Sequence, residues 1–188
     1  MKPQSTKTTA TSKLVLPVAK RDHIQGPIDA PMSLLEYGDY QCPYCGEAYP
    51  ITKAVQEQLG DKLCFAFRNF PLVNSHPYAE HAAEAAEAAA AQGKFWPMHD
   101  LLFENQAHLK AQHLKSYAER LGLDMARYTA EMDDEIYLQR VREHMESGKH
   151  SGVRATPTFF VNGRIHDVSF GLRALFDAVE EALKHHHR

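Results

Sequence analysis

Two cysteines two residues apart, Cys42-Pro43-Tyr44-Cys45, are the part of this sequence best suited to chemistry. Thiols three positions apart on the first turn of a helix share one face. With Cα atoms about 5–6 Å apart they can close a disulfide without moving the backbone. The flanking residues place them at a helix start. Pro43 suits the first helical position, where its missing N–H costs nothing. Cys42 then takes the N-cap, where a thiolate can accept the orphan N–H groups of Tyr44 and Cys45. The positive end of the helix dipole favours the same anion. The spacing therefore predicts a lowered pKa at Cys42, roughly 4.5–7, and an ordinary or raised one at Cys45. Such a pair can exchange with a partner's disulfide. The competing uses of C-x-x-C are half a zinc site and an inert structural disulfide. Zinc needs two further ligands; Cys64 is the only other cysteine, and the 12 histidines form no second paired motif. Redox exchange is the preferred reading, with no metal expected.

These thiols need a scaffold, and the sequence supplies a striped pattern. Leu14 to Val18 reads as an edge strand, followed by a loop punctuated by Gly26-Pro27 and Ala30-Pro31. Met32 to Tyr37 is a short apolar strand leading to the cysteines. Cys42 to about Leu59 is a helix ending at Gly60, with Pro50 expected to kink it. Leu63 to Phe70 is a second buried strand that carries Cys64, which reads as a small core hydrophobe. From His76 to Lys149 the pattern is helical throughout. Ala79 to Ala91 holds nine alanines, a composition for close helix packing. Phe95 to Asn105 and a segment around Leu114, Tyr117, Ala118 and Leu121 follow. Asp124 can cap a helix to Met132, and Asp133 or Asp134 another to about Ser147. Trp96 reads as core of this block; His76, His81 and His99 read as packing or surface residues. Strand signals return at Thr158 to Val161, with Asn162-Gly163 as a hairpin turn and Arg164 to Ser169 as the partner strand. Leu172 to Leu183 is a final amphipathic helix. The implied organisation is a disordered arm (1–13), a first α/β part (14–75), a helical insertion (76–149), a second α/β part (150–184) and a tail (185–188). The tail's histidines are left out of any metal argument.

Composition bounds the function. Hydrophobic content of 44% with 24% charged residues is that of a globular domain, and a net charge of −3 with dispersed basic residues carries no nucleic-acid signature. No apolar stretch approaches the roughly 20 residues of a membrane span. Leu14-Val15-Leu16 meets Pro17 at once and is too short for a signal-peptide core. The expectation is a cytoplasmic protein, or a periplasmic one if a native signal has been removed.

Cys42-Pro43-Tyr44-Cys45, Pro50 and Thr156-Pro157, taken in this order, resemble the thioredoxin superfamily. More narrowly, the chain from about Asp22 to Leu183 resembles the DsbA-like thiol–disulfide oxidoreductases, in which a helical domain interrupts a thioredoxin fold. Leu35-Glu36-Tyr37-Gly38-Asp39-Tyr40, Phe70-Pro71-Leu72, Gly93-Lys94-Phe95-Trp96 and Thr156-Pro157-Thr158-Phe159-Phe160 carry the likeness. The resemblance implies that Cys42 is the attacking thiol and Cys45 the buried resolving thiol. It implies that Pro157 is cis and faces the sulfurs with Thr156 beside it, exposing backbone to which an extended substrate could pair by strand addition. Glu36, an acid in an apolar strand six residues before Cys42, is implied as a buried carboxyl that shuttles the proton of Cys45; Asp39 ranks lower. Thr156, Pro157, Pro43 and Tyr44 are the expected substrate-binding residues. Tyr44 cannot offer a cation to the thiolate, so the expected potential lies between about −120 and −270 mV. Expected partners are protein thiols and disulfides and a redox donor or acceptor, with glutathione or a thioredoxin-type protein as electron donor and no other cofactor. The alternatives are a glutathione-dependent transferase or isomerase, or a non-enzymatic redox-sensing binding module.

Overall fold

A computed structural model of the chain describes residues 13–168, 171 and 173–186. Most of the arm expected to be disordered, together with Ser169 and Leu172, lies outside the described residues. Five strands form one sheet in the order β1-β3-β2-β4-β5. They are β1 (His23–Gln25), β2 (Met32–Gly38), β3 (Leu63–Asn69), β4 (Thr158–Val161) and β5 (Arg164–His166). The central pair β2 and β3 is parallel, from Met32 opposite Leu63 to Gly38 opposite Asn69. The connection between them is α1 (Pro43–Leu59), the crossover that parallel neighbours require. β4 returns antiparallel on the other side of β2, with Phe159 opposite Glu36, and β5 closes the hairpin through Asn162-Gly163. The sheet is thus mixed α/β with both faces covered.

Alternation along β2 sorts its side chains. Met32 and Leu34 pack on Ala48 and Val55 of α1 and on Leu175 and Val179 of α7 (Arg173–His186). Leu35 and Tyr37 face the other side, against Phe70, Val153 and Phe160. Between β3 and β4 lie α2 (Ala79–Ala90), α3 (Phe95–Glu104), α4 (Ala111–Arg120), α5 (Met125–Asp133) and α6 (Leu138–His150). The alanines of α2 are buried, which lets α3, α4, α5 and α6 approach it closely. The core of this helical block is continuous with Tyr40, Cys42, Cys45 and Phe67. The redox motif therefore sits where the insertion meets the sheet.

Several sequence expectations are corrected. Leu14 to Val18 is not a strand. Pro17 interrupts it, and the carbonyls of Leu16 and Pro17 accept from the buried guanidinium of Arg68 instead of a ladder. The edge strand is β1, antiparallel to β3, a three-residue segment too short to show a period. Lys13 is not part of a disordered arm, since it bridges to Arg164. The segment after α5 does not start a helix at Asp133 or Asp134. Glu135 takes a positive φ of 51°, and α6 begins only at Leu138 and runs to His150. β5 stops at His166, short of Ser169, and α7 continues to His186, so the expected tail begins inside a helix.

Candidate redox site

Cys42 is the N-cap of α1 and Pro43 its first residue. The start of the helix is prepared by Asp39, whose buried carboxylate accepts the N–H groups of Gln41 at 2.7 Å and Cys42 at 3.1 Å through Oδ1. Through Oδ2 it accepts the N–H of Leu72 at 2.8 Å and stands 2.7 Å from His76 Nδ1. The N–H of Asp39 in turn donates to Cys45 Sγ at 3.4 Å. One carboxylate thus satisfies the donors of the redox loop and ties it to the segment entering the helical block. Asp39, ranked low from the sequence, and His76, read as packing, are both parts of this loop. Their roles rest also on contacts 33 and 37 positions away that no local pattern displays.

Both cysteines are free thiols and buried, Cys42 at 3% exposure and Cys45 at 0%. Their environments push them apart. Cys42 is lowered to about 5, chiefly because the Cys45 thiol donates to it; burial opposes this, and the Thr156 hydroxyl and the N–H groups of Cys45 and Tyr44 add to the lowering. The sequence argument from the N-cap gives the right direction but the wrong leading cause. The neighbouring Cys45 thiol leads, and the helix N–H groups add to it. Cys45 is raised well above the ordinary thiol range by burial and by the neighbouring Cys42 and Glu36. This is the pattern of one nucleophile and one protonated reserve thiol.

Glu36 lies on the face of β2 that carries Met32 and Leu34, at 2% exposure. Its Oε1 has no hydrogen-bond partner among the described residues. Burial first, and the charge of Cys42 second, raise its pKa from 4.5 to about 8. Gly38 leaves it room: a Cβ there would stand 2.4 Å from the Phe67 ring and 3.0 Å from Glu36 Oε1. The Tyr40 hydroxyl and His99 Nδ1 are hydrogen-bonded at 3.0 Å, and burial holds His99 far below its usual pKa. His99 thereby belongs to the aromatic wall with Phe67 and Phe103.

The Thr156–Pro157 peptide is cis. The Thr156 carbonyl is 3.4 Å from Cys42 Sγ. Beside it opens a groove of about 680 Å³ lined by Tyr44, Glu47, Thr156, Pro157, Ile165 and Val168, among others. Tyr44 is 67% exposed at its rim. Pro43 is exposed at the helix start and is not among the residues lining this groove. Cys64 is buried in β3, and burial raises its thiol. Among the described residues no group of three or more His, Cys, Asp or Glu could hold a metal ion, and no helix is long and apolar enough to cross a membrane.

A parallel β2–β3 pair joined by a helix that starts on a dithiol, with a cis proline across from the sulfurs, defines a thioredoxin-type fold. The chain belongs to the thioredoxin family, whose model, described as Thioredoxin, matches residues 19–181. Its fold is that of the DsbA-like branch, with the helical insertion between β3 and β4. BdbD from Bacillus subtilis, in its oxidised form, superposes with a TM-score of 0.80 at 24% identity, covering 93% of this chain and 97% of BdbD. Wolbachia pipientis alpha-DsbA1 gives 0.76 at 18% identity, covering 92% and 96%. By sequence, the chain is 48% identical over 172 residues to the Na(+)/H(+) antiporter NhaA 1 of Salinispora arenicola, covering 90% of this chain and 26% of that protein. The Na(+)/H(+) antiporter NhaA of Herminiimonas arsenicoxydans is 42% identical over 159 residues, covering 85% and 25%. The chain spans about a quarter of the length of these curated relatives.

Proposed function

We propose that this protein is a thiol–disulfide oxidoreductase that exchanges disulfides with protein substrates through Cys42 and Cys45. The observation that carries the reading is the split between two adjacent buried thiols, one lowered to about 5 and the other raised, beside an unpartnered buried carboxyl. In the reducing direction the Cys42 thiolate attacks one sulfur of a substrate disulfide. That S–S bond breaks, a mixed disulfide forms on Cys42, and the first substrate sulfur leaves as a thiolate. Cys45 then passes its proton to ionised Glu36 and attacks Cys42 Sγ. The second substrate thiolate leaves, and a Cys42–Cys45 disulfide remains. The substrate has gained two electrons and the protein has lost two. The reverse sequence oxidises a substrate dithiol. An outside thiol, glutathione or a thioredoxin-type protein, would restore the dithiol form in the reducing direction.

Substrate would lie as an extended segment in the groove beside Pro157, with Thr156 and Tyr44 against it. Tyr44 brings no charge to the thiolate, and the low pKa is supported by Cys45 and Thr156 instead. A stabilised thiolate favours the dithiol over the disulfide and moves the couple toward oxidising potentials. Dithiothreitol-driven insulin reduction tests the reading: turnover that depends on Cys42 supports it, and full activity in Cys42→Ser contradicts it.

A second reading has a specific observation behind it. A segment similar to nearly all of this chain makes up about a quarter of proteins named as antiporters. A redox-sensing module that reports thiol state to an adjoining or partner protein would use the same dithiol without turnover. Formation of one stable Cys42–Cys45 disulfide in glutathione buffer, with no catalysed insulin reduction, is its signature. The two cysteines speak against a glutathione transferase, and absence of glutathione conjugation checks that.

A further inference from the structure

The redox loop is gripped from two sides. Asp39 satisfies its donors, as described above. Its acceptors are taken by a residue from the helical block. Gln106, half-buried in the connection between α3 and α4, donates Nε2 to the carbonyl of Tyr40 at 2.9 Å and to that of Cys42 at 2.9 Å. The Cys42 carbonyl also accepts from Gly46 N–H at 3.1 Å, the first hydrogen bond of α1. Its two lone pairs are therefore both engaged. The other end of the same amide explains Gly46. A Cβ at residue 46 would stand only 2.1 Å from Gln106 Oε1 and 2.8 Å from its Cδ. Glycine inside a helix is less favourable than alanine. Gly46 does not have a positive φ to justify it, so space for the Gln106 amide is its structural reason.

We infer that Gln106 is a positioning residue of the redox site: its side-chain amide locks the main chain of Tyr40 to Cys42 and presents the Cys42 sulfur at the head of α1. The inference rests on the exchange reading for its purpose, but not for its test. A clamp supplied by the insertion, and not by the sheet, makes the helical block a working part of the site. Without the amide, the Tyr40 and Cys42 carbonyls lose a shared donor, and the loop is free to shift relative to Cys45 and Thr156, the groups that hold the Cys42 anion.

The test is a two-position cycle read by thiolate absorbance near 240 nm against pH, on the reduced full chain. Gln106→Ala should move the Cys42 midpoint up by about one pH unit, a tenfold loss of thiolate-to-thiol ratio at a fixed acidic pH. Gly46→Ala should do the same by pushing the amide away. The double variant should move it no further than either single change, because the two act through one contact. Gln106→Met, of similar length but without donors, should match Gln106→Ala and carries the test if Gly46→Ala does not fold. An unchanged midpoint in Gln106→Ala and Gln106→Met overturns the inference, as do shifts that add in the double variant. Loss of insulin turnover with an unmoved midpoint also overturns it. A wild-type protein that titrates low but reduces no insulin contradicts the exchange reading alone.

Discussion

Two buried carboxyls in this molecule have opposite surroundings. Glu87, on α2, has both oxygens partnered: His23 Nε2 lies 3.0 and 2.9 Å from Oε1 and Oε2, Asn69 Nδ2 donates to Oε1 at 2.9 Å, and Arg140 Nε stands 2.8 Å from Oε2. The Arg140 contact is an ion pair whose angle falls short of a hydrogen bond. Burial is the largest single influence and would raise Glu87, but His23, His144 and Arg140 together outweigh it, and the carboxyl lies below its ordinary pKa. Glu36, equally buried, has one oxygen without a partner and a pKa near 8. Burial costs both the same kind of desolvation; only one is compensated. A fully paired buried charge joins β1, β3, α2 and α6 and is architecture. An uncompensated one beside two thiols holds a proton that can be moved, and is chemistry. Arg68, bound to Asp22 at 2.8 and 2.9 Å and to the Tyr37 hydroxyl at 2.9 Å, falls on the side of Glu87.

The contrast breaks most visibly at the thiols. Cys42→Ser should abolish insulin reduction while leaving the cooperative unfolding transition in place, and Cys45→Ser should accumulate mixed disulfides with substrate, seen by mass spectrometry. Retained turnover in Cys42→Ser would remove the chemical half of the comparison. The opposite dissociation is expected at the junction. Glu87→Ala leaves Arg140 without its counter-charge and His23 without its hydrogen-bond partner, and should cost about 3–5 kcal/mol in denaturant unfolding. The Cys42 midpoint in the protein that remains folded should not move.

The sign of the pH dependence separates the two carboxyls further. Glu36 keeps its proton in the folded state up to about 8, whereas an unfolded glutamate releases it near 4.5. The folded state binds more protons in that window, so the Glu36 contribution to stability falls as pH rises through it. Between pH 5 and 8.5 the reduced wild-type protein should lose about 2–4 kcal/mol relative to Glu36→Gln. Glu87, held low, contributes stability above the unfolded value that is lost as pH falls. Parallel pH profiles for wild type and Glu36→Gln would show that Glu36 is solvated after all. The same Glu36→Gln change should slow resolution of a mixed disulfide by about 100-fold near pH 8, the lower end of general-base effects. The smallest expected effect is at Cys64. Its thiol is buried and raised, so brief alkylation of the reduced native protein near pH 6 should label Cys42 and leave Cys64 unmodified.

What the sequence shows and what it hides follow the same division. Cys42, Pro43 and Cys45 are legible because their chemistry and the helix start are local. Glu36 stands out as an acid in an apolar strand, and the hairpin turn at Asn162-Gly163 announces β4 and β5. Asp39, His76 and Gln106 are not legible. Each is an ordinary polar residue until the fold brings it to the redox loop: His76 to the Asp39 carboxylate, and Gln106 to main-chain carbonyls across 64 and 66 positions. The Arg68–Asp22 pair and the Glu87 junction are hidden for the same reason, since nothing in β3 or α2 announces that a charge there will find its partner. β1 escapes notice because three residues show no period, and Leu14 to Val18 misleads because its apolar run joins no ladder: Leu14 and Val18 pack on the core while Val15 and Leu16 are exposed.

The central claim is that Cys42 and Cys45 form one two-electron couple. Equilibration in glutathione buffers, followed by acid quench, alkylation and mass spectrometry of the cysteine peptides, tests it most directly. The account predicts a single transition confined to Cys42 and Cys45, with a midpoint between about −120 and −270 mV and about 30 mV per tenfold change in the ratio of oxidised to reduced protein. A protein that stays dithiol across that whole range, or one whose disulfide recruits Cys64, would contradict it.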